Sequence, residues 1–405
     1  MRKVTVRLRW SPSSQATVGQ LAEANHRIYF EYDKTFLDRP LQLSPFKLPL
    51  RQGLIEHRDL SFGPLPGVFD DSLPDGWGLL LMNRALFAKG IDPNTISPLD
   101  RLSYVGSRAV GALIYEPPAE LEPAPQPTID LFMLGHNAQQ VYDGQTLKIL
   151  PQLLRAGGSP AGARPKALIG VRGDHIISGE AELPPGFEHW IVKFSGKKDA
   201  RDSGPIEYAY AAMAAAAGID LPQTRLFTLK RQSYFAARRF DRAPGNHRLH
   251  MHTFANLIHA GFRVPSTDYL QLAKLTLTLT KNRADVLRLI RRMVFNIAAH
   301  NRDDHAKNFA FLMNHLGEWS LSPAYDLSYS NGPGGEHFMT VMGEGRAPTR
   351  QHILSLGTQL DIKPGVLREI IDQVNTAVGR WKHFADLAGC SKKAISAVKQ
   401  RIHFL

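Results

Sequence analysis

The chain has 405 residues, of which 43% are hydrophobic, so it is long enough to bury about two or three cores. Its single cysteine, Cys390, excludes an internal disulfide and is typical of a reducing compartment. No apolar run approaches the roughly eighteen residues that a membrane span needs, and residues 1–7 lack the apolar core of a secretory signal. We therefore expect a cytoplasmic protein that does not use a membrane. The net charge of +12 is compatible with a nucleic-acid partner, an acidic protein partner or solubility alone.

The first hundred residues predict an antiparallel sheet, because apolar and polar residues alternate there. The alternating apolar positions are Val4, Val6, Leu8 and Trp10, followed by Ile28, Phe30 and Tyr32. One helix is predicted from about Gly78 to Lys89. Five of the eleven residues in 117–127 are proline, which is too many for a helix or a strand. We place the first boundary there and predict a β-rich subdomain over residues 1–127 that ends in this proline-rich linker.

A small, glycine-rich stretch at Ala156–Lys166 runs into a strand-like segment, Ala167–Val171. Such a loop is suited to cradle phosphates with its backbone N–H groups, and an ordinary surface loop is the alternative. It is not a Walker A loop, because Ala163 follows Gly162 and no Gly-Lys-Ser/Thr triplet comes after it.

Lys193 lies inside an otherwise apolar strand, His189–Phe194. A buried lysine requires an anionic partner, and nucleotide phosphates together with Glu207, which opens a helix-like segment, would supply one. A strand-edge lysine that reaches water is the alternative. We predict that residues 128–240, with their strands and this one helix, form a nucleotide-binding lobe, and that residues 241–405 form a mainly helical second lobe.

Asp303 and Asn308 stand five residues apart, which is the spacing of a phosphotransferase catalytic loop. In that arrangement the Asp orients the attacking hydroxyl, and the Asn turns back to hold a magnesium ion. The preceding residues 285–300 have apolar positions at three-to-four spacing and predict a helix. Asp326 lies one predicted hairpin downstream, where kinases place their other magnesium ligand.

These signals follow the order of a protein-kinase-like domain: glycine loop, strand lysine, helix glutamate, Asp–Asn loop and metal-binding Asp. The chain resembles the HipA-type serine/threonine kinases, which act as toxins of bacterial type II toxin–antitoxin systems. The segments that carry the resemblance are Phe69–Gly78, Val105–Leu113, Gly158–Lys166, Ile191–Phe194, Ala237–Arg242, Asn301–Asn308 and Pro323–Leu327. The resemblance implies an α+β, protein-kinase-like two-lobed fold with an N-terminal antiparallel β-rich subdomain and a mainly helical C-terminal lobe.

The same resemblance implies ATP and Mg²⁺ as cofactors and gives roles to individual residues. Asp303 becomes the catalytic base, and Asn308 and Asp326 become the magnesium ligands. Glu207 supports the lysine by an ion pair, and Ser159 stands where the family autophosphorylates. The implied ATP-binding residues are the loop residues Ala161, Gly162, Ala163, Arg164, Pro165 and Lys166, then Lys193, the hinge residues Arg238, Arg239 and Phe240, and finally His305 and Tyr325.

Members of this family phosphorylate aminoacyl-tRNA synthetases, and they bind a small helix-turn-helix antitoxin through which they sit on operator DNA. The resemblance implies the same class of substrate here, a HipB-like antitoxin as partner, operator DNA as an indirect partner, and growth arrest as the outcome.

Two hypotheses from other classes stay open on the sequence alone. A metal-dependent hydrolase would use His300, Asp303, Asp304 and His305 as metal ligands, since imidazoles and carboxylates bind zinc or manganese. A catalytically idle, DNA-bound partner would use the basic tail 380–405, which holds six Lys and Arg against one acid. Transfer of phosphate from a bound nucleotide discriminates among all three.

Overall fold

The computed structural model describes residues 2–118, 128–146, 148–157, 162–179, 182–196, 201–230, 232–261 and 263–405. Of the residues predicted to be functional, Ser159 and Ala161 lie outside these ranges, as do residues 119–127 of the predicted linker.

An antiparallel sheet of five strands forms the N-terminal region, as the alternating pattern predicted. The strands are β1 (Arg2–Ser11), β2 (Ser14–Ala24), β3 (Arg27–Tyr32), β4 (Leu54–Glu56) and β5 (Leu113–Glu116), in the order β4-β3-β2-β1-β5. The helices of this region are α1 (Lys34–Leu37), α2 (Gly67–Asp70), α3 (Gly76–Ala88) and α4 (Pro98–Val105). Val4, Val6 and Leu8 are buried on one face of β1 because successive side chains of a strand point to opposite sides.

A second antiparallel sheet holds the predicted lysine strand at its centre. Its strands are β6 (Lys166–Arg172), β7 (His175–Ser178), β8 (Glu188–Lys193), β9 (Thr224–Leu229) and β10 (Gln232–Arg238), in the order β7-β6-β8-β10-β9. The helices nearby are α5 (Leu131–Tyr142), α6 (Pro151–Gly157) and α7 (Ser203–Ala216). The prediction of one helix in residues 128–240 is therefore wrong. Asp130 caps α5, and its buried Leu131, Leu134 and Val141 show the helical spacing that would have revealed it.

The C-terminal region is mainly helical and packs around α10. Its helices are α8 (Phe254–Ile258), α9 (Tyr269–Thr280), α10 (Arg283–Ala298), α11 (Arg350–Gln359), α12 (Pro364–Val378), α13 (Trp381–Leu387) and α14 (Lys392–Lys399). Its short strands are β11 (Arg242–Ala243), β12 (His247–Arg248), β13 (His250–Thr253), β14 (Thr267–Asp268), β15 (Ala310–Met313), β16 (Trp319–Leu321) and β17 (Met339–Thr340). Helix α7 joins this core, because the Tyr210 ring meets Phe295 of α10 and Trp381 of α13.

Helix α10 carries the predicted catalytic loop at its C-terminal end, and β8 and α7 carry the predicted lysine and glutamate. The lysine strand and the catalytic loop thus come from different structural layers, which meet where Lys193 contacts Asp326. Among the helices in the described part of the chain, none has the length and apolar content that a membrane span requires.

Candidate active site

The two adjacent carboxylates of the catalytic loop have different surroundings. Asp303 is exposed, whereas Asp304 is only 1% exposed. The Asp304 carboxylate accepts hydrogen bonds from the Tyr269 hydroxyl at 2.7 Å and from the Phe338 backbone N–H at 2.9 Å. His337 Nδ1 lies 3.0 Å from the same carboxylate. Asp304 therefore fixes the loop to the C-terminal core and leaves Asp303 as its outward carboxylate.

The loop closes on itself as the Asp–Asn spacing predicted. The amide nitrogen of Asn308 donates a hydrogen bond to the backbone carbonyl of Asp303 at 2.7 Å. This bond orients the Asn308 side chain, which is 8% exposed, and keeps its amide oxygen for another partner. The Tyr325 hydroxyl donates to the Lys307 carbonyl at 2.7 Å, so the segment that carries Asp326 is tied to the same loop.

The electrostatics of Asp303 favour proton transfer. Partial burial raises the pKa of Asp303; His305 opposes this shift, and the neighbouring Asp326 and Asp304 carboxylates add to it. A raised pKa makes an ionised carboxylate a better proton acceptor, because the proton it takes up is held more strongly. Asp303 is therefore a solvent-accessible carboxylate with a raised pKa that lies near a second carboxylate.

Lys193 forms ion pairs with two carboxylates that come from different parts of the chain. Its ammonium contacts Glu207 of α7 and Asp326. Burial lowers the pKa of Lys193, but Asp326 and Glu207 outweigh burial and hold it above its usual value. The pKa of Asp326 is correspondingly held below its usual range by Lys193 and Lys166, against the effect of burial. Glu207 lies in the second turn of α7 and does not open the helix as predicted, since α7 begins four residues earlier.

A second lysine stands beside Lys193 on the neighbouring strand. Lys166 of β6 is paired in register with Lys193 of β8, so both side chains leave the same face of the sheet. Lys166 is 6% exposed, and burial lowers its pKa while Asp326 opposes this effect. Two like charges directly opposite each other are unfavourable. Asp326 and Glu207 offset part of this repulsion, and a polyphosphate anion would offset more of it. This pair of lysines is the strongest sign of a phosphate site.

The donor set fits magnesium. Asn308 would contribute an amide oxygen and Asp326 a carboxylate, and both are hard oxygen ligands of the kind that Mg²⁺ prefers. Magnesium commonly keeps only one or two protein carboxylates and completes its shell with waters and substrate phosphates, which agrees with two protein ligands on adjoining loops.

The remaining predicted ATP-binding residues differ in their exposure and in their partners. Arg164 is exposed and lies close enough to lower the pKa of Asp303. Arg238 forms an ion pair with Glu188 at 3.1 Å, and the buried Arg239 is paired with Asp241 at 2.7 Å. The hinge therefore does not offer two free guanidiniums.

The other end of the hinge contributes an aromatic surface. The ring centroid of Phe240 lies 5.5 Å from that of Tyr325, so these two side chains join the hinge to the segment before Asp326. Pro165 accepts a hydrogen bond from the Phe194 N–H at 2.8 Å, which ties the glycine loop to the end of β8.

The hydrolase hypothesis is not supported by the geometry. Asp304 is turned into the core, and His300 Nε2 lies 3.3 Å from the Asn331 side chain. Burial, helped by Arg302, lowers the pKa of His300 to about 4. Across the described residues, no group of three or more His, Cys, Asp or Glu side chains is arranged to hold a metal ion.

Ser44, His252 and Asp71 contact one another like a Ser–His–Asp triad, but they are buried and a substrate cannot reach them. Ser44 Oγ lies 3.0 Å from His252 Nε2, and His252 Nδ1 lies 2.6 Å from the Asp71 carboxylate. Ser44 and His252 are both 0% exposed, so no substrate reaches the hydroxyl. These contacts link the N-terminal region to β13 and are structural.

The fold and the site define a protein-kinase-like chain. A family model described as the HipA-like C-terminal domain matches residues 158–381, more than half of the chain, and one described as the HipA N-terminal domain matches residues 13–116. The chain belongs to the HipA family. This confirms the resemblance on which the site residues were assigned.

Individual proteins are similar to this chain over part or most of its length. The candidate kinase Y4mE of Sinorhizobium fredii is 30% identical over 346 residues, 76% of this chain and 74% of that protein. The candidate kinase Y4dM of the same organism is 30% identical over 154 residues, 34% of this chain, and the match spans only 36% of that protein. A solved structure of the toxin–antitoxin system HipA and HipB of Shewanella oneidensis MR-1 with its operator DNA has a TM-score of 0.71. It covers 98% of this chain and 96% of that chain at 16% identity, and it confirms the fold.

Sequence reasoning missed three residues at the edge of this site. Asp75 and Trp77 lie in the family segment Phe69–Gly78, and Lys307 lies in the catalytic loop, but none was given a role. Their contacts with the glycine loop and with each other depend on the fold, and no local pattern indicates them.

Proposed function

We propose that this protein is an ATP- and magnesium-dependent protein serine/threonine kinase. The observation that carries the proposal is that Lys166 and Lys193 both lie beside Asp326. Asp326 is in turn close to Asp303, whose backbone is hydrogen-bonded to Asn308. A cationic pair, a raised-pKa carboxylate and two oxygen ligands for magnesium are the groups that phosphoryl transfer requires, and they come from elements far apart in the chain.

In this mechanism each side chain has a distinct task. Asp303 accepts the proton of the attacking hydroxyl and orients it toward the phosphoryl group. Lys193, positioned by Glu207, holds the nucleotide phosphates, and Asn308 and Asp326 would hold the metal. ATP would supply the γ-phosphoryl group and leave as ADP, and the magnesium ion would neutralise the charge that develops during transfer.

Membership of the HipA family supports a proposal for the biological role. We propose that the kinase arrests growth as a toxin, that its substrate is an aminoacyl-tRNA synthetase, and that a HipB-like helix-turn-helix antitoxin neutralises it and tethers it to operator DNA. The S. oneidensis relative was solved together with HipB and operator DNA, which supports this choice of partners.

The decisive experiment compares the wild-type chain with Asp303→Ala. Loss of a positioned base reduces the rate of phosphoryl transfer by about a hundredfold or more. The matched control is Asp361→Asn, because the Asp361 side chain is 95% exposed and lies outside the site. Transfer is measured with labelled ATP on purified synthetases, and phosphoproteomes of cells that express each variant identify the substrate.

The outcomes separate the parts of the proposal. Asp303→Ala protein that phosphorylates at the wild-type rate refutes the catalytic assignment. Synthetases that stay unlabelled while another protein is modified refute the substrate class and keep the kinase.

A further inference from the structure

The family segment Phe69–Gly78 belongs to the N-terminal region, yet it reaches the glycine loop of the second sheet. Asp75 stands at the N-cap of α3, where a carboxylate ordinarily accepts an N–H of its own helix. It makes no such bond. Instead, the Asp75 carboxylate accepts a hydrogen bond from the backbone N–H of Gly162. The side chain is thus directed away from its own helix and toward the loop that the kinase proposal places on the phosphates.

Trp77 holds the same loop at two points, Gly162 and Lys166. Its backbone N–H donates to the Gly162 carbonyl at 3.0 Å, and its indole N–H donates to the Lys166 carbonyl at 2.8 Å. Trp77 is 0% exposed and packs among Ala167, Trp190 and other residues of the second core. Packing therefore fixes both the side chain and the backbone of Trp77, from which these two hydrogen bonds are donated.

Gly76 allows the two backbones to touch. It has a φ of +40°, and a Cβ atom at this position would lie 2.7 Å from the Gly162 carbonyl oxygen and 2.7 Å from Ala163 Cα. Real Cβ atoms do not approach backbone so closely, so any larger residue would push the loop away. The approach of α3 to the glycine loop thus depends on this glycine.

Lys307 connects the same carboxylate to the catalytic loop. Its ammonium lies 3.8 Å from an Asp75 carboxylate oxygen and 3.5 Å from one of Asp70. One oxygen of Asp75 accepts from the glycine loop and the other faces Lys307, four residues after Asp303. Asp75 therefore touches both of the loops between which a nucleotide phosphate would lie.

We propose that Asp75, Gly76 and Trp77, here called the DGW clamp, hold the glycine loop in its phosphate-binding position and couple it to the catalytic loop. Asp75 is a positioning residue in this scheme, and the proposal rests on the kinase function proposed above. The protein binds a nucleotide more tightly when the loop is already in place. Only molecules in the binding-competent conformation bind, and the clamp raises the fraction of molecules in that conformation. Opening the clamp weakens ATP binding without removing any group that touches ATP.

The first test measures the loop without any nucleotide. Amide hydrogen exchange of the full chain, resolved to Gly162, is compared among wild type, Asp75→Ala, Asp75→Asn and Gly76→Ala. Loss of a hydrogen bond to a charged acceptor should speed exchange at Gly162 by about tenfold or more in Asp75→Ala. Asp75→Asn retains an acceptor oxygen and should restore most of the protection. Gly76→Ala should expose the loop by steric displacement.

Gly90→Ala is the matched control. Gly90 has a φ of +74°, so alanine suffers left-handed strain there too, but no atom lies within 4 Å of the added Cβ. A urea unfolding curve for each variant verifies that it is folded. The clamp is refuted if the exchange rate at Gly162 is the same in wild type, Asp75→Ala and Gly76→Ala. It is also refuted if Gly90→Ala speeds exchange at Gly162 as much as Gly76→Ala does.

The second test measures ATP. The clamp predicts that Asp75→Ala raises the KM for MgATP about tenfold or more with a smaller change in kcat, and that Asp75→Asn recovers most of this loss. If wild-type protein binds and uses ATP while the KM of Asp75→Ala is unchanged, the clamp is refuted and the kinase stands. If wild-type protein does not bind ATP, the kinase function fails together with the nucleotide role of the clamp. The exchange data then still decide whether the clamp holds the loop.

Discussion

A buried carboxylate at the hinge should determine much of the stability of this protein. Asp241 accepts hydrogen bonds from Arg239 Nε at 2.9 Å and Nη2 at 2.7 Å, and from Arg242 Nη1 at 2.8 Å. It also accepts the backbone N–H of Gly111, in the N-terminal region, at 2.7 Å. The side chains of Asp241, Arg239 and Arg242 are 6%, 4% and 2% exposed. One carboxylate thus compensates two guanidiniums that water scarcely reaches.

Asp241→Asn removes this charge with little change in shape. Two buried guanidiniums then lose their counter-charge, and breaking a buried ion pair in this way costs about 3–5 kcal/mol. Folded domains are stable by about 5–15 kcal/mol, so the change is a large fraction of the total. The control is Asp386→Asn, since Asp386 pairs with Lys382 on an exposed helix and such pairs contribute about 0.3–0.5 kcal/mol.

Urea unfolding at pH 7, followed by tryptophan fluorescence and far-UV circular dichroism, measures both losses. The pH dependence gives a second test. Burial raises the pKa of Asp241, but Arg239 and Arg242 outweigh burial and hold the pKa well below its usual range. A depressed pKa stabilises the fold above the unfolded pKa, about 4, and this contribution declines as the pH falls further. The difference between wild type and Asp241→Asn should therefore shrink below about pH 4. A loss under about 1 kcal/mol at pH 7 would refute the reasoning.

Two further predictions concern the nucleotide site. Lys193→Met removes the ammonium between Glu207 and Asp326 and should raise the KM for MgATP about tenfold or more, because a charge-assisted bond to phosphate is lost; an unchanged KM in steady-state assays contradicts the lysine assignment. Autophosphorylation at Ser159 would add about two negative charges to the glycine-rich stretch, whose predicted role is to hold the ATP phosphates, and should switch the kinase off. Intact-mass measurement after incubation with MgATP should show one added phosphate that is absent in Ser159→Ala, and wild-type protein that stays unmodified excludes this switch.

Elements with strong local patterns were predictable from the sequence. The helix predicted over residues 285–300 is observed at Arg283–Ala298, and the strand around Lys193 is observed at Glu188–Lys193. Both depend on hydrophobic periodicity, which is read within a window of a few turns. The spacing of Asp303 and Asn308 predicted that both leave one short loop, and the hydrogen bond from the Asn308 amide to the Asp303 carbonyl closes that loop.

Contacts between distant segments were not predictable in the same way. Asp75 is the N-cap residue of α3, but its carboxylate accepts from Gly162 and not from its own helix, and only the fold shows this. Lys166 was assigned to the phosphate loop by resemblance, but the lysine pair arises from the register of β6 and β8. The sequence also does not show which of Asp303 and Asp304 is buried, because this depends on the tertiary contact between Asp304 and Tyr269.

The N-terminal region is part of the kinase framework in this structure. It contacts the glycine loop through Asp75 and Trp77, the catalytic loop through the Lys307 ammonium, and the hinge through the Gly111 backbone. The nucleotide site that we propose lies among these three segments. A displacement of the N-terminal region would disturb the glycine loop, the catalytic loop and the hinge together, because each contact is a hydrogen bond or ion pair to a buried or half-buried group. Control of the kinase through this region therefore requires no contact with the ATP cleft itself.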